Sequence, residues 1–357
     1  MFIESLTLEN FRCFDAGRFV FRGPRTVISG ENGRGKTNLL ESIFFLAAGK
    51  SGRGAVEREI VRHGTEHFDI RSTIRRGSGC VLIRITYDRI SGKRAYINGC
   101  PLPRLSDLLG TFNAILFSPE DVDLVLKYPH ERRRMLDILA SQASNTHLAD
   151  LLVYQRILAH RNRLLRNGAF PGGADPQIEA WDEQLASTGA RIVQYRMEAV
   201  GRISAHAGGF YQSLSGDGEE LRVAYASCAA ADRIEETKAL LLEGLRGVRE
   251  REQQLGYTLT GPHRDRVLFE IDGRDARQHA SQGQRKSALL SWKLAEAVYL
   301  RSVVSEMPVL LLDDVFSELD AKRATRLSEL LEGFDQVILT TAREPDLPMS
   351  GYERICV

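Results

Sequence analysis

Gly30–Glu31–Asn32–Gly33–Arg34–Gly35–Lys36–Thr37 fits the pattern G-x-x-x-x-G-K-[ST], and its flanks agree with it. Thr26–Val27–Ile28–Ser29 reads as a short buried strand, and Leu39, Leu40, Ile43, Phe44, Leu46 and Ala47 recur at helical spacing. Strand, glycine loop and helix together make a phosphate cradle. Successive backbone N–H groups converge on anionic oxygens, and the helix N-terminus adds partial positive charge at the same point. Gly30, Glu31, Asn32, Gly33, Arg34 and Gly35 form the loop. Lys36 is expected to reach the β- and γ-phosphates, and the Thr37 hydroxyl to join a Mg²⁺ shell.

A second apolar run completes that site. Val309–Leu310–Leu311–Leu312–Asp313–Asp314 reads as a buried parallel strand that delivers carboxylates at its C-terminal edge. Asp313 fits the metal-shell carboxylate and Asp314 the base facing the attacking water, so Lys36, Asp313 and Asp314 are the catalytic candidates. Between the two motifs, Ser281–Gln282–Gly283–Gln284 precedes a helix and forms a second anion-binding surface. One nucleotide does not need two cradles in one subunit. The economical expectation is that Ser281–Gln284 caps a γ-phosphate bound on another copy of the chain. Arg12, near the start of the nucleotide domain, is a further candidate for a phosphate or base contact.

The 357 residues, 43% hydrophobic and 27% charged, suit a soluble globular protein with two or three cores. A formal net charge of +1 means that a nucleic-acid surface must come from clustered arginines. The five cysteines form no C-x-x-C pair, which speaks against a zinc site or a disulfide framework and suits a reducing cytosol. The Met1–Ser5 segment does not read as a signal peptide, and no run approaches the ~20 apolar residues of a membrane span. The chain is expected to be cytoplasmic.

Residues 1–118 are strand-rich, with one clear helix after the glycine loop. From 119 to 256 the pattern is helical, apart from a short strand at Leu221–Tyr225. Two long helical patterns, to about Arg166 and from about Ile178, are separated by a Gly/Pro-rich connector, Asn167–Pro176. Strand texture returns over 257–357, so the helical lobe reads as an insertion within one nucleotide-binding head. Arg132, Arg133 and Arg134 in the lobe, with Arg156 and Arg163 opposite an apolar helix face, are the candidate DNA contacts.

The ordered set G-E-N-G-R-G-K-T, S-Q-G-Q-R-K, L-L-L-D-D-V-F-S-E-L-D and T-T-A resembles the ABC-type ATPase heads of the SMC-like group. Within it, L-E-N-F-R, G-K-T-N-L-L-E, F-S-P-E-D, P-H-E-R-R-R-M-L-D, R-N-R-L-L and G-Y-T-L-T-G-P-H-R-D resemble the bacterial RecF family of recombination mediators. The resemblance implies an α/β fold, an ABC-type P-loop ATPase head with an inserted all-helical lobe. It also implies ATP and Mg²⁺ as cofactors and an ATP-dependent homodimer on double-stranded or gapped DNA. A role in DNA repair and replication restart with RecR, RecO and RecA follows from the same likeness. Ser281 then takes the role of the trans signature serine. Asp314, shorter than the glutamate of transporter heads, suggests slow hydrolysis. The competing readings are an ABC transporter ATPase subunit, disfavoured by the ~135-residue helical lobe, and an SMC-like scaffold, for which the arms are too short.

Overall fold

The computed structural model describes residues 1–167, 176–216, 218–341 and 351–357. Most of the predicted connector, 168–175, and Ala342 of T-T-A lie outside the described residues.

Two sheets enclose the helix that follows the glycine loop. The five-stranded sheet contains β3 (Arg25–Ser29), β8 (Ala114–Phe117), β12 (Val309–Leu312), β13 (Val337–Thr341) and β14 (Glu353–Cys356), in the order β14-β3-β13-β12-β8. Every pairing in it is parallel. A parallel sheet is covered on both faces, which is why β12 can be four consecutive aliphatic residues, all buried. The second sheet is antiparallel and alternates instead. It contains β1 (Phe2–Phe11), β2 (Phe14–Val20), β4 (His67–Arg76), β5 (Gly79–Asp88), β6 (Gly92–Ile97) and β7 (Cys100–Pro101), in the order β2-β1-β4-β5-β6-β7. Its inward residues, among them Leu6, Leu8, Ile70 and Ile85, meet helix α1 (Lys36–Ala48). Eleven of the 13 residues of α1 are buried because it is covered on both sides. A one-turn helix, α2 (Glu57–Ile60), lies between α1 and β4.

The opposite face of the parallel sheet carries the other core. Val27, Ile115, Phe117, Leu310, Leu312, Val337 and Leu339 pack there against helices. These are α3 (Pro119–Lys127), α4 (Pro129–Ala143), α6 (Pro176–Ser215), α10 (Gln282–Val304) and α11 (Ala321–Leu331). Each fully buried Leu, Ile or Phe contributes about 1.5–3 kcal/mol to holding the layers together. The remaining helices are α5 (Asn145–Asn167), α7 (Ile234–Gly247), α8 (Arg249–Leu255) and α9 (Ala276–His279). A three-stranded sheet, β11-β10-β9, joins β9 (Leu221–Ala226) to β10 (Arg266–Ile271) and β11 (Arg274–Asp275).

The first long helical pattern, ending near Arg166, is broken between α4 and α5. Ser144 interrupts it in extended backbone, and its hydroxyl accepts the His147 N–H. Residues 119–256 hold α3–α8 together with β9, so this stretch is not purely helical: β9 pairs along its length with β10, beyond residue 256. No helix among the described residues is long and apolar enough to cross a membrane.

Candidate nucleotide site

The glycine loop opens from the C-terminal end of β3, and two of its glycines are required by the backbone. Gly33 and Gly35 sit at φ +82° and +106°, where a β-carbon is strained. At Gly35 it would also stand 2.5 Å from Cys13 Sγ and 2.9 Å from the Phe14 ring, because the β1–β2 turn rests on the loop. The Lys36 ammonium donates to Gly30 O at 2.6 Å and Glu31 O at 2.9 Å. An ammonium has three donors, so one remains for a ligand in the cleft that Lys36 lines. Glu31 and Arg34 form an exposed i,i+3 pair on the loop's outer side.

Asp313 sits at the C-terminal end of β12, one residue beyond the last paired position. Leu312 is paired with Phe117 on one side and Leu339 on the other, so Ser118 and Thr340 flank Asp313 at the same edge. The Asp313 N–H donates to Phe117 O at 2.9 Å, which fixes this register past the strand. Asp313 Oδ1 accepts from Thr37 Oγ1 at 3.0 Å and from Thr340 Oγ1 at 2.6 Å. Burial pushes the Asp313 carboxyl above the usual carboxylate range, opposed by these two hydroxyl donors and by the Arg53 charge. Asp314 takes left-handed backbone at φ +42°, rare for a residue with a side chain, and its Oδ1 is buried with no partner.

These groups line one cleft of about 350 Å³. Asn32, Gly33, Gly35, Lys36, Thr37 and Asn38 form one wall, Asp313, Asp314 and Thr340 the floor, and Ser118, Pro119 and Glu120 the facing wall. A hydroxyl and a carboxylate oxygen 3.0 Å apart are the hard oxygen donors Mg²⁺ takes, and the unpartnered Asp314 Oδ1 adds an acceptor beside them. The residues fit that ion.

Ser281–Gln284 lies elsewhere. Ser281 caps α10: its Oγ accepts the Gln284 N–H, and Gln284 Oε1 accepts the Ser281 N–H, a reciprocal capping box. Gln284 is further held by Glu219 at 2.6 Å. Ser281 and Gln282 are exposed, and none of residues 281–284 lines the cleft. Arg12 is not among the residues that line the cleft. Its guanidinium grips buried Glu41 of α1 through two donors at 2.9 and 3.0 Å and reaches Glu59 O.

The arginine candidates divide. Arg132 does not face solvent: it is 7% exposed and donates to Val125 O and Leu126 O, closing the C-terminal end of α3. Its expected DNA contact is thereby corrected. Arg133 is committed to Asp265 O, and Arg134 to Glu131 and Ser51 O. Arg156 and Arg163 are exposed on α5. Composition missed Arg161, which points inward between them: fully buried, it bonds Asp182, Glu252 and Thr258.

The model of the RecF/RecN/SMC N terminal domain family matches residues 2–350. The chain is 39% identical to the DNA replication and repair protein RecF of Symbiobacterium thermophilum, over 96% of this chain and 92% of that one. It is 40% identical to the RecF of Moorella thermoacetica, over 99% and 93%. Among solved structures it is similar to the recombination mediator RecF bound to ATP, with 32% identity, a TM-score of 0.89 and coverage of 97% and 93%. An Smc head domain from Pyrococcus furiosus shares the fold at 17% identity and a TM-score of 0.57, covering 100% of this chain and 93% of that one. The architecture is that of an ABC-type P-loop ATPase head.

Proposed function

The chain belongs to the RecF family of DNA replication and repair proteins, and we propose that it acts there as an ATP-gated clamp on DNA. The observation that carries this reading is the division of the nucleotide machinery. The P-loop, Thr37 and Asp313 form one cleft, while the exposed Ser281 cap stands outside it. Two copies facing each other would bring each Ser281 onto the other's γ-phosphate, so ATP would close the dimer and hydrolysis would reopen it.

In that cycle the loop N–H groups and the free donor of Lys36 bind the phosphates. Thr37 and Asp313 would hold Mg²⁺, which would supply positive charge against the negative charge of the phosphates. Asp314 stands at the reacting end. Its short side chain favours slow turnover, a switch more than an engine, with stimulation by DNA as the closed dimer forms. Residues 1–118 and 257–357 serve as the two halves of the head, and 119–256 as the inserted lobe. DNA repair and replication restart on gapped double-stranded DNA, with RecO, RecR and RecA as partners in the cytoplasm, is the role that the family likeness supports.

Sedimentation tests the clamp. Wild-type chain with ATP is expected to shift to a dimer, more so with gapped DNA, while Ser281→Arg stays monomeric yet still binds ATP. A wild type that remains monomeric with ATP, or a Ser281→Arg variant that dimerises normally, sinks the reading. For DNA, Arg156 and Arg163 are the contacts we retain. Reversing both to glutamate is expected to weaken binding and flatten the log–log salt slope by about one per residue. An unchanged slope across a salt titration would remove α5 from the DNA face.

A further inference from the structure

One acidic side chain ties the Ser281 cap to the helical lobe. At the start of α10 the N–H groups of Ser281, Gln282, Gly283 and Gln284 have no intrahelical partners. The capping box takes two of them, at Ser281 and Gln284. Those of Gln282 and Gly283, with the Ser281 hydroxyl proton, are left for an anion. The box closes only while Gln284 keeps its amide oxygen toward Ser281, because the Ser281 N–H can only donate.

Glu219, between α6 and β9, enforces that orientation. Its Oε1 accepts from Gln284 Nε2 at 2.6 Å. A carboxylate only accepts, so it holds the NH₂ end of Gln284 and turns the oxygen end to Ser281. Its Oε2 accepts from the Tyr211 hydroxyl at 2.7 Å, near the C-terminal end of α6. Tyr211 is fully buried. Burial, followed by the Glu219 contact, pushes its hydroxyl up, so it stays a donor. The backbone beside Glu219 is pinned as well. The Glu220 N–H donates to Asp272 Oδ1 and the Asp272 N–H to Glu220 O, at the turn between β10 and β11. A β-carbon at Gly283 would stand 2.8 Å from Arg323 Nη1, so α11 rests on the cap too.

We propose that Glu219 is a positioning residue for the cap: anchored on Tyr211, it orients Gln284 so that Ser281 and the free N–H groups meet the γ-phosphate of the other copy. This rests on the clamp reading and names the group that presets its trans half. α6 has 40 residues, a length of about 60 Å, and its N-terminal half packs on α5. The cap and the lobe that carries Arg156 and Arg163 therefore share one helix.

Charge gives the test its sign. If charge alone mattered, removing an acid beside an anion site would strengthen anion binding. Glu219→Ala is instead expected to weaken ATP-induced dimerisation of the full chain by roughly tenfold or more in sedimentation, the worth of a hydrogen bond to a charged group. The Kd of its monomer for ATP should stay within about threefold, because Glu219 does not line the P-loop cleft. Gln284→Glu keeps the capping box, which accepts either side chain, but sets a carboxylate against Glu219. It should weaken the dimer, and adding Glu219→Gln, whose amide donates to the new carboxylate, should restore it to within about threefold of wild type. A Glu219→Ala dimer as tight as wild type or tighter, a parallel loss of ATP affinity, or a Gln284→Glu defect that Glu219→Gln does not relieve overturns the proposal. A wild type that stays monomeric with ATP overturns the clamp reading beneath it instead.

Discussion

Lys36→Met is expected to lower ATP hydrolysis by ~10²–10³-fold, the effect of deleting one preorganised donor aimed at transferring phosphate. The stem of Lys36 is buried at 8% exposure, and methionine fills much of that volume. The two carbonyls that lose a donor, Gly30 O and Glu31 O, border a cleft that water enters. The ligand-free variant should therefore melt close to the wild type. Added nucleotide should separate them. A ligand at 100 times its Kd stabilises the state it binds by about 2.7 kcal/mol, so ATP should raise the wild-type melting temperature and barely move that of Lys36→Met. Equal ATP-induced shifts would mean that Lys36 is not the phosphate contact, whatever the hydrolysis rates.

The nucleotide side of the molecule was legible because its signals are local. A glycine that must adopt positive φ, a lysine after it and an apolar strand ending in acids each carry their own physical reason. They predict neighbours 276 residues apart in sequence, Thr37 and Asp313, which the structure brings to 3.0 Å. What is not legible in the sequence is set by packing across segments. β14 pairs with β3 through residues with little strand signal of their own. Ser118 is an ordinary serine until the register of β8 with β12 puts it beside Asp313. Arg132 differs, because its inward placement does carry a local sequence signal. It precedes Met135, Leu136 and Leu139 by three, four and seven positions, all buried on one helix face. Periodicity places it inward, and the run of three arginines obscured that.

The same period marks Arg161, four residues after Ile157 and four before Leu165, and its removal should be the most destabilising change in the helical lobe. Its guanidinium bonds Asp182 at 2.6 Å, Glu252 at 2.6 Å and the Thr258 hydroxyl at 2.8 Å, with no exposed surface on the arginine or on Glu252. It thereby ties α5 to α6, to α8 and to the segment leading into G-P-H-R-D. Glu252 also accepts the Leu259 N–H, and Asn162 accepts the Thr258 N–H, so that segment's backbone depends on the same cluster. Arg161→Met keeps the apolar stem and deletes the charge, leaving Glu252 without its cation while Asp182 keeps Arg249. Breaking a buried pair from one side costs about 3–5 kcal/mol, most of it the burden of the stranded charge. Adding Glu252→Gln, which removes that charge, should recover part of the loss, and a double-mutant cycle measures how much. Denaturant unfolding of the four chains gives the energies. Hydrogen exchange at Thr258 and Leu259 shows whether the damage starts there, as the hydrogen bonds require. A loss below about 1 kcal/mol would place Arg161 among ordinary surface pairs and contradict its burial.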